Sequence, residues 1–347
     1  VHFDNRTVAS GVLALMFERC RLVLSMGTMT GTRYIFGKSI TLSGNDSDTY
    51  LSTLISSLIL PEQDIVNLIG ASCSSDSHML DVGANIGYIS IIMSLTSPAG
   101  KIYSFEPGPK IFSFLKKNVK DNRLKNVDIH NIGLSDKNYT TKLAYSSDMQ
   151  AGAFVSNDPE TVKVKYPVSE DIKLEALDSV YKKLGIVKCD LLKVDIEGHE
   201  LSFLSGAKNF ISKFKPTTIM EVNHWCLNVL NRTSLPDYIE SVYTYFPYIF
   251  AFQDGQYLDL SDPDALFYFY YENVVNNSFF NLFCGFDRNQ LLNKLNLAFD
   301  DRVRLNEVQE QNAELTKRNA ELTKRFDSLE SSKSHQVAKK VNRMLRR

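Results

Sequence analysis

Two short stretches concentrate the residues able to do chemistry. The first, Leu80-Asp-Val-Gly-Ala-Asn-Ile-Gly87, brings Asp81, Gly83, Ala84, Asn85 and Gly87 together, and Glu106 follows at the end of the next apolar run. The second, Lys193-Val-Asp-Ile-Glu-Gly-His199, carries Asp195, Glu197 and His199, while Glu221, Asn223 and His224 close the run that starts at Thr217. Glycines let backbone approach a bound small molecule with no Cβ in the way. A carboxylate such as Glu106 can accept from the paired hydroxyls of a ribose. Carboxylates and imidazoles can take a proton from a hydroxyl that is being turned into a nucleophile. Asp195 is the best-placed candidate base, with Glu197, His199, Glu221 and His224 as alternatives. Asp195 and Glu221 could instead share a divalent ion, because carboxylate oxygens suit Mg²⁺, although no complete ligand set is spelled out. Glu197 could also serve only to cap the helix that follows, favoured by the helix dipole.

Those residues need a parallel sheet to bring them together. Met79–Val82, Lys101–Phe105, Val127–Ile132, Leu191–Val194 and Thr217–Val222 are short apolar runs that read as strands. Helical patterns at Tyr88–Leu95, Pro109–Asn118 and Leu201–Phe210 alternate with them. Strand and helix in alternation make an α/β doubly wound sheet, whose ligands bind beyond the carboxyl ends of the strands. All the chemistry-bearing residues fall at those ends. The glycine loop is not the dinucleotide fingerprint, which needs glycines at 83, 85 and 88 and here meets Asn85 and Tyr88. Nor is it a phosphate loop, since no Gly-Lys-Ser/Thr follows.

The loop resembles the first motif of class I S-adenosylmethionine methyltransferases. Taken with Tyr103-Ser-Phe-Glu-Pro107, Leu174-Glu-Ala-Leu-Asp178, Leu192-Lys-Val-Asp-Ile-Glu-Gly198 and Ile219-Met-Glu-Val222, it makes residues 78–225 similar to the FkbM family. That resemblance implies a Rossmann-like fold, S-adenosyl-L-methionine as cofactor, and methyl transfer to a hydroxyl, often on a sugar of a glycan or glycolipid. It further implies that Asp81 faces the methionine ammonium, with Asn85 at the same end. Gly83, Ala84 and Gly87 would form the loop, Glu106 would hold the ribose, and Leu134, with Asp136 near it, would line the adenine. Asp195 would lie beside the methyl donor.

The flanking segments read differently. Residues 1–78 form an N-terminal extension in which Leu51, Leu54, Ile55, Leu58 and Ile59 give Thr49–Leu60 the spacing of an amphipathic helix, and Pro61 opens another turn through Leu68. This region is expected to pack against the sheet and cover the cofactor end, with Met26–Gly44 as a hairpin or loop. Residues 79–225 would be the core. Thr141–Tyr145 and Thr161–Val168 are strand-like, separated by the small, polar Ser146–Asp158. Residues 226–290 are an aromatic-rich extension of the sheet, with a hairpin around Asp254-Gly255 and a last strand at Asn281–Gly285.

A coiled coil is expected over 291–332. Leu305, Val308, Asn312, Leu315, Asn319, Leu322, Phe326 and Leu329 form an a/d heptad, in which Asn-Ala-Glu-Leu-Thr-Lys-Arg is repeated unchanged. Leu at most d positions and Asn at two a positions favour a parallel pair, so a homodimer or a partner protein through 305–329 is expected. The tail 333–347 carries six Lys or Arg, no acid, and an apolar face at Val337, Val341, Met344 and Leu345, which suits peripheral contact with the inner membrane face.

Composition bounds the rest. The 347 residues are 44% hydrophobic and 23% charged with a net charge of −1, as in a globular protein without global attraction for nucleic acid. Five scattered cysteines with no C-x-x-C spacing point to a reducing, cytoplasmic setting. Gly11–Leu24 is a poor signal peptide, and no apolar run reaches the length of a membrane span. Two other readings stay open: methylation of a nitrogen or carboxyl group on a small molecule or protein, and a non-catalytic coiled-coil scaffold for glycan-assembly enzymes.

Overall fold

A computed structural model describes residues 23–25, 27–57, 61–146, 149–155 and 168–300, with Lys324 and Ser328. The heptad segment 305–329 and the basic tail 333–347 lie outside the described residues, apart from those two, which are helical and exposed. The chain divides into two compact units, Val1–Ala298 and Phe299–Arg347, and the sheets all belong to the first.

The described chain opens with an antiparallel meander, β1 (Val23–Ser25), β2 (Thr28–Ile35) and β3 (Lys38–Gly44). Phe36 and Gly37 turn β2 into β3 with φ of 48° and 71°, the paired left-handed geometry a two-residue hairpin loop requires. The hairpin or loop expected at 26–44 is thus a hairpin. Helix Thr49–Ser56 follows, with the Asp48 carboxylate accepting from the Tyr50 N–H at 2.9 Å, and it buries Leu51, Leu54 and Ile55. Helix Gln63–Ser72 runs a full turn past Leu68, because Ile65, Val66, Leu68 and Ile69 supply a continuous buried face.

The central sheet is built from β4 (His78–Val82), β5 (Lys101–Phe105) and β6 (Val127–His130) on one side. A small second sheet then departs from the chain: β7 (Gly133–Leu134), β8 (Tyr139–Ser146), β9 (Met149–Val155) and β10 (Val168–Glu175), in the order β7-β10-β8-β9. The Ser146–Asp158 stretch, expected as a polar separator, contains β9. Its return pairs Phe154 with Ala144 and buries that phenylalanine, so backbone pairing with β8 overrides the small, polar composition.

The chain returns to the central sheet with β11 (Leu191–Val194) and β12 (Thr217–Glu221), and completes it with β13 (Tyr248–Gln253), β14 (Gln256–Asp259) and β15 (Asn281–Gly285). The order is β14-β13-β15-β12-β11-β4-β5-β6. Strands β4, β5, β6, β11 and β12 run parallel, whereas β15 is antiparallel to both β12 and β13. The sheet is therefore mixed, and its switch point falls between β4 and β11.

The single helix expected over Leu201–Phe210 is two, Glu200–Gly206 and Lys208–Phe214. Asp178 causes the break by accepting from the N–H groups of Asn209 and Phe210 at 2.8 and 2.7 Å, donors that a continuous helix would have used. Helix Arg288–Ala298 packs on helix Gln63–Ser72 and on β15, with Leu291 and Leu295 buried. Residues 291–298, assigned from sequence to the head of the coiled coil, therefore belong to the sheet-bearing unit. Among the described residues no helix is long and apolar enough to cross a membrane.

Candidate active site

The tips of β4, β5, β11 and β12 open into one cavity of about 280 Å³. On leaving β4 the chain cannot run straight. Gly83, at φ 82°, passes so close to β11 that a Cβ would overlap the Asp195 carbonyl oxygen. The N–H groups of Gly83 and Ala84 both donate to the Phe105 carbonyl, clipping the loop to the end of β5 at 3.1 and 2.9 Å. Asn85 is also left-handed, at φ 49°, a conformation asparagine tolerates better than most residues. Gly87 ends the loop at φ 92° and opens helix Tyr88–Thr96.

This loop holds Glu106. The Asn85 N–H donates to Oε2 at 3.0 Å and the Gly108 N–H to Oε1 at 2.8 Å, so both carboxylate oxygens are fixed by backbone. Burial outweighs those bonds and pushes the carboxyl up to about 7. The Asn85 side-chain Oδ1 is buried with no hydrogen-bond partner among the described residues. Beyond Glu106 the wall is apolar, with Ile111, Leu134, Leu143, Phe154 and Leu174.

The opposite wall is ionic. Lys193, nearly buried inside β11, lies 3.0 Å from Asp195 Oδ2 and 3.9 Å from Asp81 Oδ1. Burial opposes its ammonium, but Asp195, Asp81 and Glu62 together hold it above the ordinary lysine value. One oxygen each from Asp195, Glu197 and Glu221 falls within 4.8 Å of the others, a spacing that a divalent cation could also use. Burial, and then Asp195, push the Glu197 carboxyl up to about 7. Its Oε2 accepts from Cys226 Sγ at 3.3 Å and Asn223 Nδ2 at 3.4 Å. Burial, with Asp195 and Glu197 beside it, raises Glu221 well above the usual carboxylate range.

Glu197 does not cap the helix that follows, Glu200–Gly206, whose N-terminus has no side-chain cap. Glu200 Oε1 instead accepts from the N–H groups of Ile196 and Gly198 in the preceding turn at 3.2 and 3.1 Å. Glu197 is released to the cavity by its own left-handed φ of 52° and by Gly198 at 92°. His199 lines the same cavity, its Nε2 sharing a 2.8 Å hydrogen bond with Ser135 Oγ, and burial keeps its imidazole below the ordinary value.

Three residues weighed from sequence fall away from the cavity. Asp81 is fully buried behind the sheet tip, where Ser90 Oγ donates to its Oδ2 at 2.5 Å, and it does not line the space. Asp136 instead accepts from Ser135 Oγ at 3.0 Å, and His224 begins helix His224–Asn231 outside the lining. Conversely, Tyr50, Glu62, Tyr88 and Lys193 line the cavity without having been singled out. Lys193 had a readable signal, a lone charge inside the apolar run Leu191–Val194. Tyr50 and Glu62 lie in the extension expected to cover the cofactor end, but nothing in their spacing marks these two residues as the ones that reach the cavity.

The strand order, the reversed β15 and the loop–Glu106 clamp at the switch point define a class I methyltransferase-like α/β fold. Residues 81–241 match the model of the methyltransferase FkbM domain. Among curated relatives, it is 30% identical to methyltransferase sdnD of Sordaria araneosa, over 41% of this chain and 63% of that protein. It is 31% identical to the hexuronic acid methyltransferase AglP of Haloferax volcanii, over 43% of this chain and 57% of that protein. The chain thus spans about six-tenths of the length of these relatives. The crystal structure of methyltransferase FkbM from Methylobacillus flagellatus aligns with a TM-score of 0.38 and 19% identity, covering 61% of this chain and 44% of that one.

The family uses S-adenosylmethionine, and the residues present fit it. Glu106 offers carboxylate oxygens that could accept from paired hydroxyls, Leu134 and its neighbours offer an apolar surface, and Gly83, Ala84 and Asn85 of the glycine loop line the same space.

Proposed function

We propose that this protein methylates a hydroxyl oxygen, on a sugar of a glycan or glycolipid, from S-adenosylmethionine. The observation that carries the reading is the continuity of the cavity. The backbone-clamped Glu106 and the carboxylate cluster of Asp195, Glu197 and Glu221 line one space. Similarity to a hexuronic acid methyltransferase supports a saccharide acceptor.

The cofactor, when bound, supplies an electrophilic methyl group. An aliphatic hydroxyl must lose its proton as it attacks, and a base whose pKa is near the working pH is best matched to that task. The cluster meets this need as a unit, since interacting carboxylates titrate together. Asp195 is ion-paired with Lys193, burial and the neighbouring carboxylates raise Glu221 well above the usual carboxylate range, and Glu197 sits at about 7. The acceptor proton enters at Asp195 and is shared with Glu197. Neutral His199, bonded to Ser135, shapes the wall and positions the acceptor.

Calorimetric titration with S-adenosylhomocysteine, followed by transfer of labelled methyl to uronic-acid-containing oligosaccharides, tests this. Micromolar binding lost in Glu106→Ala, with label recovered as a methyl ether, is expected. Well-folded wild type that binds no S-adenosylhomocysteine would sink it, and label appearing as an amine or ester would move the acceptor to nitrogen or carboxyl.

A further inference from the structure

Besides its apolar lining, the cavity carries charges of both signs. A zwitterionic α-amino acid needs a cation for its carboxylate and a carboxylate for its ammonium. Lys193 supplies the cation. Asp81, the carboxylate that the family resemblance assigns to the ammonium, cannot supply the other half: it is fully buried, bonded to Ser90, and outside the lining.

Glu62 can. It lines the same cavity, within electrostatic reach of Lys193, Asp195 and Asp81. Tyr50, another lining residue, donates its O–H to Glu62 Oε1 at 2.5 Å and so fixes the carboxylate. The second oxygen, Oε2, is buried and has no hydrogen-bond partner among the described residues. A buried acceptor left unsatisfied costs free energy, which a bound donor recovers. The backbone commits to this placement as well, because Glu62 holds a left-handed φ of 56° immediately before helix Gln63–Ser72. Asparagine 118, through its side chain, ties the hairpin of the same extension to the glycine loop, accepting from the Ser43 N–H and donating to the Ser43 and Ile86 carbonyls at 2.8–2.9 Å. The extension is therefore anchored to the loop whose far side clamps Glu106.

We propose that Glu62, oriented by Tyr50, binds the α-ammonium of the cofactor's methionine end, with Lys193 facing its α-carboxylate. The inference rests on the methyltransferase reading and deepens it. The nucleoside half is read by residues inside the family-matching stretch 81–241, and the ammonium is read by a residue outside it.

The test is calorimetric titration of the full chain, as wild type, Glu62→Gln and Tyr50→Phe, with three ligands. These are S-adenosylhomocysteine, its analogue lacking only the amino group, and 5′-methylthioadenosine, which lacks the whole amino-acid end. Glu62→Gln should weaken S-adenosylhomocysteine tenfold or more, and leave the other two ligands within twofold of wild type. Tyr50→Phe should show a smaller loss with the same ligand pattern. Retained 5′-methylthioadenosine binding also certifies that each variant is folded. Unchanged S-adenosylhomocysteine affinity in Glu62→Gln, or an equal loss for all three ligands, overturns the assignment. Wild type that binds none of the three overturns the methyltransferase reading itself, and this proposal with it.

Discussion

Glu106 and Glu197 are both carboxyls pushed up to about 7, yet they are held in opposite ways. Glu106 is clamped by two backbone N–H groups that belong to the glycine loop and to the turn before helix Pro109–Asp121. Its position survives any change of protonation, because the donors are part of the fold. Glu197 has only side-chain donors, from Asn223 and Cys226, and shares its surroundings with Asp195 and Glu221. On the proposed reading, one end of the cavity is a fixed recognition surface, and the other is a place where a proton can be stored and moved. Binding and chemistry are thereby assigned to different kinds of bonding.

The sharpest way to break that division is Gly83→Ala, since Gly83 touches both ends. Its Cβ would meet the Asp195 carbonyl at a φ of 82°, so the loop must shift off β11. A stability loss of roughly 2–4 kcal/mol in thermal unfolding is expected from combined strain and overlap. S-adenosylhomocysteine binding should disappear with it; wild-type affinity in this variant would show that the loop is not the joint between the ends.

Asp195→Asn should separate the ends rather than disrupt both. Removing the proposed base should lower turnover by about 10²–10⁴, while S-adenosylhomocysteine affinity stays within about fivefold. A loss of affinity as large as the loss of rate would place Asp195 at the recognition end instead.

The recognition end has its own signature in pH. In the folded, ligand-free protein, burial, helped by Asp81 and opposed by the Gly108 and Asn85 N–H groups and by Lys193, lets Glu106 keep its proton to about 7, against 4.5 ordinarily. The folded state therefore binds more protons than the unfolded chain, and this group's contribution to stability falls as pH rises from 4.5 through 7. A ligand whose hydroxyls donate to the ionised carboxylate binds more tightly as pH rises through the same value. Affinity for S-adenosylhomocysteine should gain about fivefold between pH 6 and 7, about a further twofold by pH 8, and level off above. Glu106→Gln should flatten that gain, and an unchanged pH profile in the variant would assign it elsewhere.

Two smaller effects refine the chemical end. His199→Gln should lower turnover by less than about tenfold, as expected of a neutral residue that positions rather than transfers. Dialysis against a chelator should change the rate by less than about twofold if Lys193 and shared protons balance the cluster. A rate that collapses and returns with Mg²⁺ would turn Asp195, Glu197 and Glu221 into a metal centre.

The sheet was largely legible because each strand is bounded by a residue that cannot continue it. Lys101–Phe105, Leu191–Val194 and Asn281–Gly285 begin and end where their apolar runs do. The cavity end of Glu106 was legible for the same reason, since a carboxylate at a strand tip is placed by the strand. Position along a strand does not say which way a buried charge turns, and so Asp81 and Lys193 exchanged roles. Asp81 points to Ser90 behind the sheet tip, while its cross-strand neighbour Lys193 reaches the cavity. The helix broken by Asp178 and the wall built from Tyr50 and Glu62 were hidden more deeply. Both depend on residues distant in sequence meeting only after the chain has folded.

The antiparallel wedge of β15 between β12 and β13 has a consequence for how the chain is made. As residues leave the ribosome, β12 emerges with its outer edge bare, and the strand that will cover it, residues 281–285, arrives some sixty residues later. Until then an apolar, fully hydrogen-bond-competent edge is open to neighbouring nascent chains. A fragment cut at residue 241, where the family match stops, would keep that edge bare permanently. Such a fragment is expected to be recovered as aggregate, however faithfully it preserves the binding motifs.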